Sequence, residues 1–469
     1  MALCSGCNHE PLENWRIEDY ALQMSDDLEG KIRQLEERAK TLHDNLLAFA
    51  SRAFVIEFAG TPKAGKSTSV EAIRHFFTRH DFRVHILIER ASVCPIPMKG
   101  HLFFNTWCAA TMLAELIANV DTETDIIIVD RGIFDALVWL TLQRQRHEVT
   151  ADEARIIEAF LLLDRWRSLI DLAVVMNVSP SEAMERENSQ RISPKPGSIM
   201  NPEVLGNISA AVTSAVKEYQ QRFDSVIEYE TSGQNVRLSN ANLASEILDH
   251  LAAFLDPEIL VVPTCELQML PLKHGGAFSR EVREELLRCI SKFGKFVRRS
   301  FAESSPDVAQ IIACGLLVHD DEVFLFERKE RDPKYSLYGK ATIWQGAHVP
   351  RVTEKAGEDL LKSTLLDRIS RSLFLSRTFP VNLVGYCWEP DNENSNRHFG
   401  VIFKVEIDND ATAADLRKKE FRHGRGHGLA GQFVSWKLLT SKAVEPNLEA
   451  WSVSILDGIV DIQGLKDAV

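Results

Sequence analysis

The chain has 469 residues, 45% of them hydrophobic and 26% charged, which gives about three domains' worth of globular protein. Its 54 Lys+Arg stand against 67 Asp+Glu, a net charge of −13 that argues against a general nucleic-acid coat or a membrane-surface role. No run approaches the ~18 apolar residues of a membrane helix, and Met1 to Asn14 lack the basic start and apolar core of a secretory signal.

The 8 cysteines are scattered, several in apolar surroundings, which reads as reduced thiols in a cytoplasmic protein. Cys4, Cys7 and His9 form a C-x-x-C-x-H cluster. It has three ligand types but no distant second pair, so a frayed terminus is preferred over a zinc site. From Trp15 to Arg52, Leu28, Ile32, Leu35, Ala39, Leu42 and Leu46 recur every three or four residues. That stripe predicts one or two amphipathic helices packed on the next domain or on a partner chain.

Between Phe54 and Leu255 strand and helix patterns alternate. Expected strands are Phe54–Ala59, Arg83–Ile88, Ile126–Asp130, Leu172–Val178 and Val226–Tyr229. Expected helices are Ser67–His80, Thr106–Ala118, Ile133–Arg144, Ala151–Leu169, Pro202–Phe223 and Asn240–Phe254. Ile126 to Val129 are apolar on both faces, as a central parallel strand requires. The pattern predicts a doubly wound α/β parallel sheet.

The first strand runs into Gly60-Thr61-Pro62-Lys63-Ala64-Gly65-Lys66-Ser67-Thr68, which matches G-x-x-x-x-G-K-[S/T] at every fixed position. Strand, glycine loop and helix follow in the order that phosphate binding needs. Glycines let main-chain N–H groups curl round phosphate oxygens, and the helix N-terminus adds partial positive charge. Gly60, Ala64, Gly65, Lys66, Ser67 and Thr68 are therefore expected to hold a nucleoside triphosphate. Lys66 would reach its β- and γ-phosphates, and Ser67 its Mg²⁺.

Asp130 ends the central strand and is expected to hold the Mg²⁺, directly or through water. Glu89 and Arg90 end the second strand at the same sheet edge. There Glu89 can take a proton from an attacking hydroxyl and Arg90 can hold a phosphate. Arg131 follows Asp130 at once. Ser179 or Ser181 would cap a helix that carries Arg186 towards the loop. Ser189 to Asn201 suits a lid with Arg191 and Lys195, although an inert surface loop fits equally. Asn105, with Phe103, Phe104 and Trp107, reads as core packing or as a platform for an acceptor base.

Residues 52 to 255 resemble the thymidylate kinase and deoxynucleoside kinase group of phosphate-loop (P-loop) kinases. The carriers are the GTPKAGKST loop, Asp130-Arg131-Gly132, Glu89-Arg90 and the segment ending in Arg186. The resemblance implies that Lys63 touches the transferred phosphate. Pro62 stands where that group usually has an acid, a departure that counts against thymidylate specificity. It implies ATP and Mg²⁺ as cofactors, a nucleoside or nucleotide acceptor, and a possible homodimer. Catalytic roles fall on Lys63, Lys66, Glu89, Arg131 and Arg186, and acceptor contacts on Glu89, Arg90, Asn105 and Arg131. Arg186 and Arg191 would add cofactor contacts.

A composition change at Asp256-Pro257 leads to a strand at Leu260-Val261-Val262 and a basic helix from Ser279 to Arg299. Strands are then expected at Ile311–Val318, Val323–Glu327, Val381–Trp388, Phe399–Ile407 and Gln432–Trp436, with a helix at Gly357–Leu373. Residues 258 to 460 resemble a Nudix domain, an α+β fold, through Glu327-Arg328, Ile343 to Val349 and the flanking strands. Where that family places Mg²⁺-binding glutamates, Asp367 to Leu373 carry Arg368, Ser370, Arg371 and Ser372. Magnesium needs carboxylate oxygens, so an inactive domain is expected. The basic, glycine-rich tract Lys418 to Gly428 reads as a solvated loop or an anion nest.

The expected domains are thus 1–51, 52–256 and 257–469. The alternatives to a kinase are an ATP-dependent nucleotide sensor or switch, and an active Nudix pyrophosphohydrolase.

Overall fold

The structure is a computed structural model describing residues 13–49, 52–120, 124–190, 199–272, 275–277, 280–329, 340–352, 355–373, 375, 379–389, 396–409, 412–413, 416, 421–422, 428–439 and 448–459. It divides into two compact units, residues 1–255 and 256–469.

The first unit is an α/β fold. A single long helix, α1 (Glu13–Phe49), precedes the sheet. Its buried Leu35, Ala39, Leu42 and Leu46 join the core of its own unit. It lies against α9 (Val236–Leu255), to which Arg38 pairs through Asp249 at 2.5 Å and Glu29 through Arg237 at 3.0 Å.

Five parallel strands follow: β1 (Phe54–Gly60), β2 (Val84–Leu87), β3 (Ile126–Asp130), β4 (Leu172–Asn177) and β5 (Val226–Glu230). Their order is β2-β3-β1-β4-β5. Every residue of β1 is buried, which suits a central strand covered on both faces. Val55 and Ala59 face one apolar cluster, and Phe54, Ile56 and Phe58 the other. The sheet order turns at β1, so the loop after it opens at the carboxyl edge where ligands bind in such folds.

The covering helices include α2 (Lys66–Arg79), α3 (Leu102–Asn119), α4 (Ile133–Gln145), α5 (Ala151–Leu161), α7 (Pro180–Gln190) and α8 (Pro202–Tyr219). The helix expected over Ala151–Leu169 is two pieces, α5 and a short α6 (Asp164–Arg167). Thr150 and Glu153 form a reciprocal capping box that fixes the start of α5.

The second unit is a mixed sheet of eleven strands among the described residues. Its spine is β9 (Val308–His319), paired in parallel with β14 (His398–Glu406) and antiparallel with β12 (Gln345–His348). Further strands include β6 (Glu258–Pro263), β10 (Glu322–Lys329) and β13 (Val381–Trp388). Helix α13 (Gly357–Leu373) buries Leu361, Leu365 and Ile369 on one sheet face, and the helix Ala450–Ile459 puts Trp451 and Ile455 on the other.

A second element departs from expectation. The helix predicted over Ser279–Arg299 is the shorter α11 (Arg280–Phe293), and residues 295–298 form strand β8 against β6. Gly294 stops the helix: a β-carbon there would lie 2.3 Å from the Ile290 carbonyl oxygen.

Candidate phosphate-binding site

Gly60 closes β1 with φ +119°, and a side chain there would meet the Met176 carbonyl oxygen at 2.0 Å. This close approach lets Thr61 N–H donate to the same carbonyl at 3.0 Å, while Thr61 Oγ1 accepts Val178 N–H at 3.1 Å. The loop is therefore stitched to β4. Gly65 caps α2 in the left-handed region at φ +90°.

Lys66 opens α2, is buried, and folds its Nζ onto the carbonyls of Thr61 (2.6 Å) and Gly60 (3.0 Å). Burial first, then the nearby Arg131, lowers its ammonium to about 7. Ser67 and Thr68 are exposed in the first turn of α2.

Register sets Asp130 opposite Phe58, two residues before the loop starts on the adjoining strand. Burial raises its carboxyl above the usual range, and Arg131 opposes the rise. Arg131 takes φ +64° and sits between two acids, with Glu89 at 2.8 Å and Asp135 at 3.0 Å. Asp135 Oδ1 also accepts Gly60 N–H at 3.2 Å, so this chain of groups reaches the loop itself.

Behind it lies Glu57, fully buried in β1. Its Oε1 accepts the N–H groups of Gly132 (3.0 Å) and Asp135 (2.9 Å), the first turn of α4. Burial lifts this carboxyl to about 7. Sequence reasoning missed both Glu57 and Asp135. The available signal was a lone acid inside an otherwise apolar buried strand, which must find donors.

Helix α7 grips the loop from the other side. Arg186 donates to the Lys63 carbonyl at 2.9 Å and to Thr231 Oγ1 and carbonyl at 3.2 and 2.8 Å. Lys63 Nζ pairs with the adjacent Glu187 at 2.8 Å. Ser179 Oγ accepts Glu182 N–H at 3.3 Å, the expected cap of that helix.

Two expected acceptor residues are engaged elsewhere. Arg90 pairs with Glu115 of α3 at 3.0 Å, in an ion pair away from the loop. Asn105 is buried and donates to the Ala136 carbonyl at 3.1 Å, tying α3 to α4. Phe103 is 66% exposed, whereas the other aromatics beside it are not. Arg191, Lys195, Cys4, Cys7, His9 and most of the Lys418–Gly428 tract lie outside the described residues. The six described cysteines are free of disulfides.

A family model described as "Methylmalonyl Co-A mutase-associated GTPase MeaB" matches residues 27–94, the stretch that contains the loop. Protein YmaB of Bacillus subtilis (strain 168) is 24% identical over 208 residues, 43% of this chain and 97% of YmaB. Among solved structures, Tm1382, described as a candidate Nudix hydrolase, is 15% identical with a TM-score of 0.33, covering 44% of this chain and 98% of that one. Deoxyadenosine kinase from M. mycoides with bound dCTP is 16% identical with a TM-score of 0.31, covering 42% and 100%.

Motif and sheet together give the first unit a P-loop NTPase fold, a class that uses a nucleotide and Mg²⁺. Among the described residues no helix is long and apolar enough to cross a membrane.

Proposed function

We propose that the first unit transfers the terminal phosphoryl group of Mg²⁺·ATP to a nucleoside or nucleoside monophosphate. The observation that carries this reading is the Glu89–Arg131–Asp135 chain at the sheet's carboxyl edge, joined to Gly60 of the loop. Phosphoryl transfer needs positioning and positive charge more than covalent chemistry. Glu89 is more than a third exposed, open to an acceptor hydroxyl whose proton it can take. Arg131 orients that carboxylate and adds charge beside it. Lys66 holds the β- and γ-phosphates, Ser67 and Asp130 hold Mg²⁺, and Lys63 and Arg186 neutralise the moving group.

For the second unit, the proposal is a Nudix-like domain that binds nucleotide or regulates without hydrolysis. Glu358, an acid left at the start of α13, is tied to Arg283 at 2.9 Å and Lys362 at 2.9 Å. Its charge is already matched, which leaves little for Mg²⁺.

A second reading has the domain turning over GTP as a switch, favoured by the GTPase family model over residues 27–94. One experiment separates them. The full chain is incubated with Mg²⁺·ATP or Mg²⁺·GTP and a panel of nucleosides and monophosphates, and products are identified by mass. A phosphorylated acceptor, lost in Lys66→Ala and slowed in Glu89→Gln, supports the kinase. Nucleotide consumption with every acceptor unmodified overturns it in favour of the switch. Release of pyrophosphate or monophosphate from a dinucleotide by Lys66→Ala would restore the Nudix hydrolase.

A further inference from the structure

The second unit gathers three metal-ligand side chains from distant parts of the chain. Glu303 stands in helix α12 (Arg299–Ser304), His348 ends β12 and His398 begins β14. Both strands flank β9, where His348 lies opposite Ile312 and His398 opposite Gln310. Residues two apart on one strand share a face. The two imidazoles therefore stand on the same side of the sheet, ring centroids 5.9 Å apart. One ligand atom from each of Glu303, His348 and His398 comes within 4.8 Å of the others.

The surroundings hold the three in place. Arg397 donates to the main-chain carbonyl of Glu303, and its own carbonyl accepts Gln310 N–H at 2.7 Å. This fastens α12 and β9 to the start of β14. Polar atoms at the same spot are buried without partners. His348 Nε2 has none, and Gln310, fully buried beside His398, has none for either Oε1 or Nε2. Buried polar atoms are nearly always satisfied, by protein, water or an ion, so several orphans around one cluster mark a binding place.

We infer that Glu303, His348 and His398 bind one divalent transition-metal ion of the zinc type. Two imidazoles and one carboxylate suit zinc, whereas magnesium takes carboxylates, phosphates and water. Tetrahedral ligands at about 2.1 Å from zinc lie about 3.4 Å apart, so the side chains need close by little more than an ångström. Three protein ligands leave a fourth position for water or an exogenous group. Arg299 Nε lies 3.4 Å from the Glu303 carboxylate, so the cation competes with that ion pair.

The test uses the full chain carrying Cys4→Ser and Cys7→Ser, which removes the competing thiols of the N-terminal cluster. Zn²⁺ is titrated against a chromophoric chelator, and Co²⁺ is followed by visible absorption. The expected result is one equivalent of tightly held zinc and a Co²⁺ spectrum of nitrogen and oxygen ligation without thiolate bands. His348→Ala and His398→Ala abolish the stoichiometric binding, and Glu303→Gln, at a partly exposed helix end, weakens it. Lys66→Ala, in the phosphate loop, leaves it unchanged. Absence of stoichiometric zinc in the Cys-replaced chain, or undiminished zinc in folded His398→Ala or Glu303→Gln, overturns the assignment. The Co²⁺ spectrum needs no histidine variant, so it decides the matter even if those variants fail to fold.

Discussion

The Glu57 carboxylate accepts the N–H of Gly132 at 3.0 Å, linking the strand that feeds the phosphate loop to the helix that follows Asp130. The contact is close on both sides. A β-carbon on residue 132 would lie 2.8 Å from Glu57 Oε2, so glycine there makes room for the acid. The same carboxylate accepts Asp135 N–H, and Asp135 in turn holds Arg131 and Gly60. One buried acid thus sets the position of α4, of Arg131 and, through Asp135, of the first loop residue.

That acid predicts a pH signature. Burial raises Glu57 from 4.5 to about 7, so between those values the folded state holds a proton that the unfolded chain has released. Stability from this group is present below about 4.5, falls as pH rises towards 7, and is flat above. The full span is on the order of 3 kcal/mol. Glu57→Gln removes the titration while keeping an acceptor oxygen for the α4 amides. Urea unfolding at pH 5 and pH 8 is the check. The wild-type chain should lose stability relative to Glu57→Gln by a few kcal/mol across that interval.

A second prediction concerns Lys66. Burial and Arg131 lower it to about 7, so at pH 8 most of its ammonium groups are deprotonated in the nucleotide-free protein. Triphosphate binding favours the charged form and draws a proton from solvent. Calorimetric titration of Mg²⁺·ATP in buffers of different ionisation enthalpy should show uptake approaching one proton at pH 8 and little at pH 6. Affinity should fall by up to about tenfold per pH unit above 7. Lys66→Met should show neither effect.

The phosphate loop was legible because its chemistry is written in the main chain. Gly60 and Gly65 occupy backbone conformations that side chains disfavour, and Ile126 to Val129 are apolar on both faces because β3 is central. The helix of Gly357–Leu373 was legible from its periodic Leu360, Leu361, Leu365 and Ile369, now a buried stripe. Other features depend on partners far along the chain. Glu57 looks like a flaw in an apolar strand until α4 supplies its donors. Arg90 shares its chain neighbourhood with Glu89, yet only the fold turns one towards Glu115 and the other towards Arg131. Strand β8 hid inside a helical repeat because a four-residue strand carries too little pattern to outweigh it. Glu303, His348 and His398 meet only through strand order, which no local spacing records.

Away from the loop, Arg52 and Asp171 make a two-pronged ion pair at 2.7 Å on each prong, with both side chains largely buried. Asp171 Oδ2 also accepts Val55 N–H at 2.8 Å, fastening the start of β1 to the residue before β4. Removing one partner of such a pair strands the other charge. Asp171→Ala should cost about 3–5 kcal/mol in denaturant unfolding. The double change Arg52→Met, Asp171→Leu should recover much of that loss, because neither charge is then left unpaired.

Arg186 gives the last prediction. Its guanidinium binds the Lys63 carbonyl, the Thr231 hydroxyl and carbonyl, and the Glu182 carboxylate at 2.6 Å. It therefore shapes the loop in the nucleotide-free protein, besides any charge it offers to a phosphate. Arg186→Ala leaves two carbonyls without this donor, at a cost of about 1–3 kcal/mol in stability. Arg186→Lys keeps the charge but loses the planar fork that reaches several acceptors at once. If positioning dominates, Arg186→Lys should bind Mg²⁺·ATP nearly as weakly as Arg186→Ala. If charge alone matters, Arg186→Lys should match the wild-type chain. Titration calorimetry on the two variants decides between them, and the four-way contact of Arg186 predicts the first outcome.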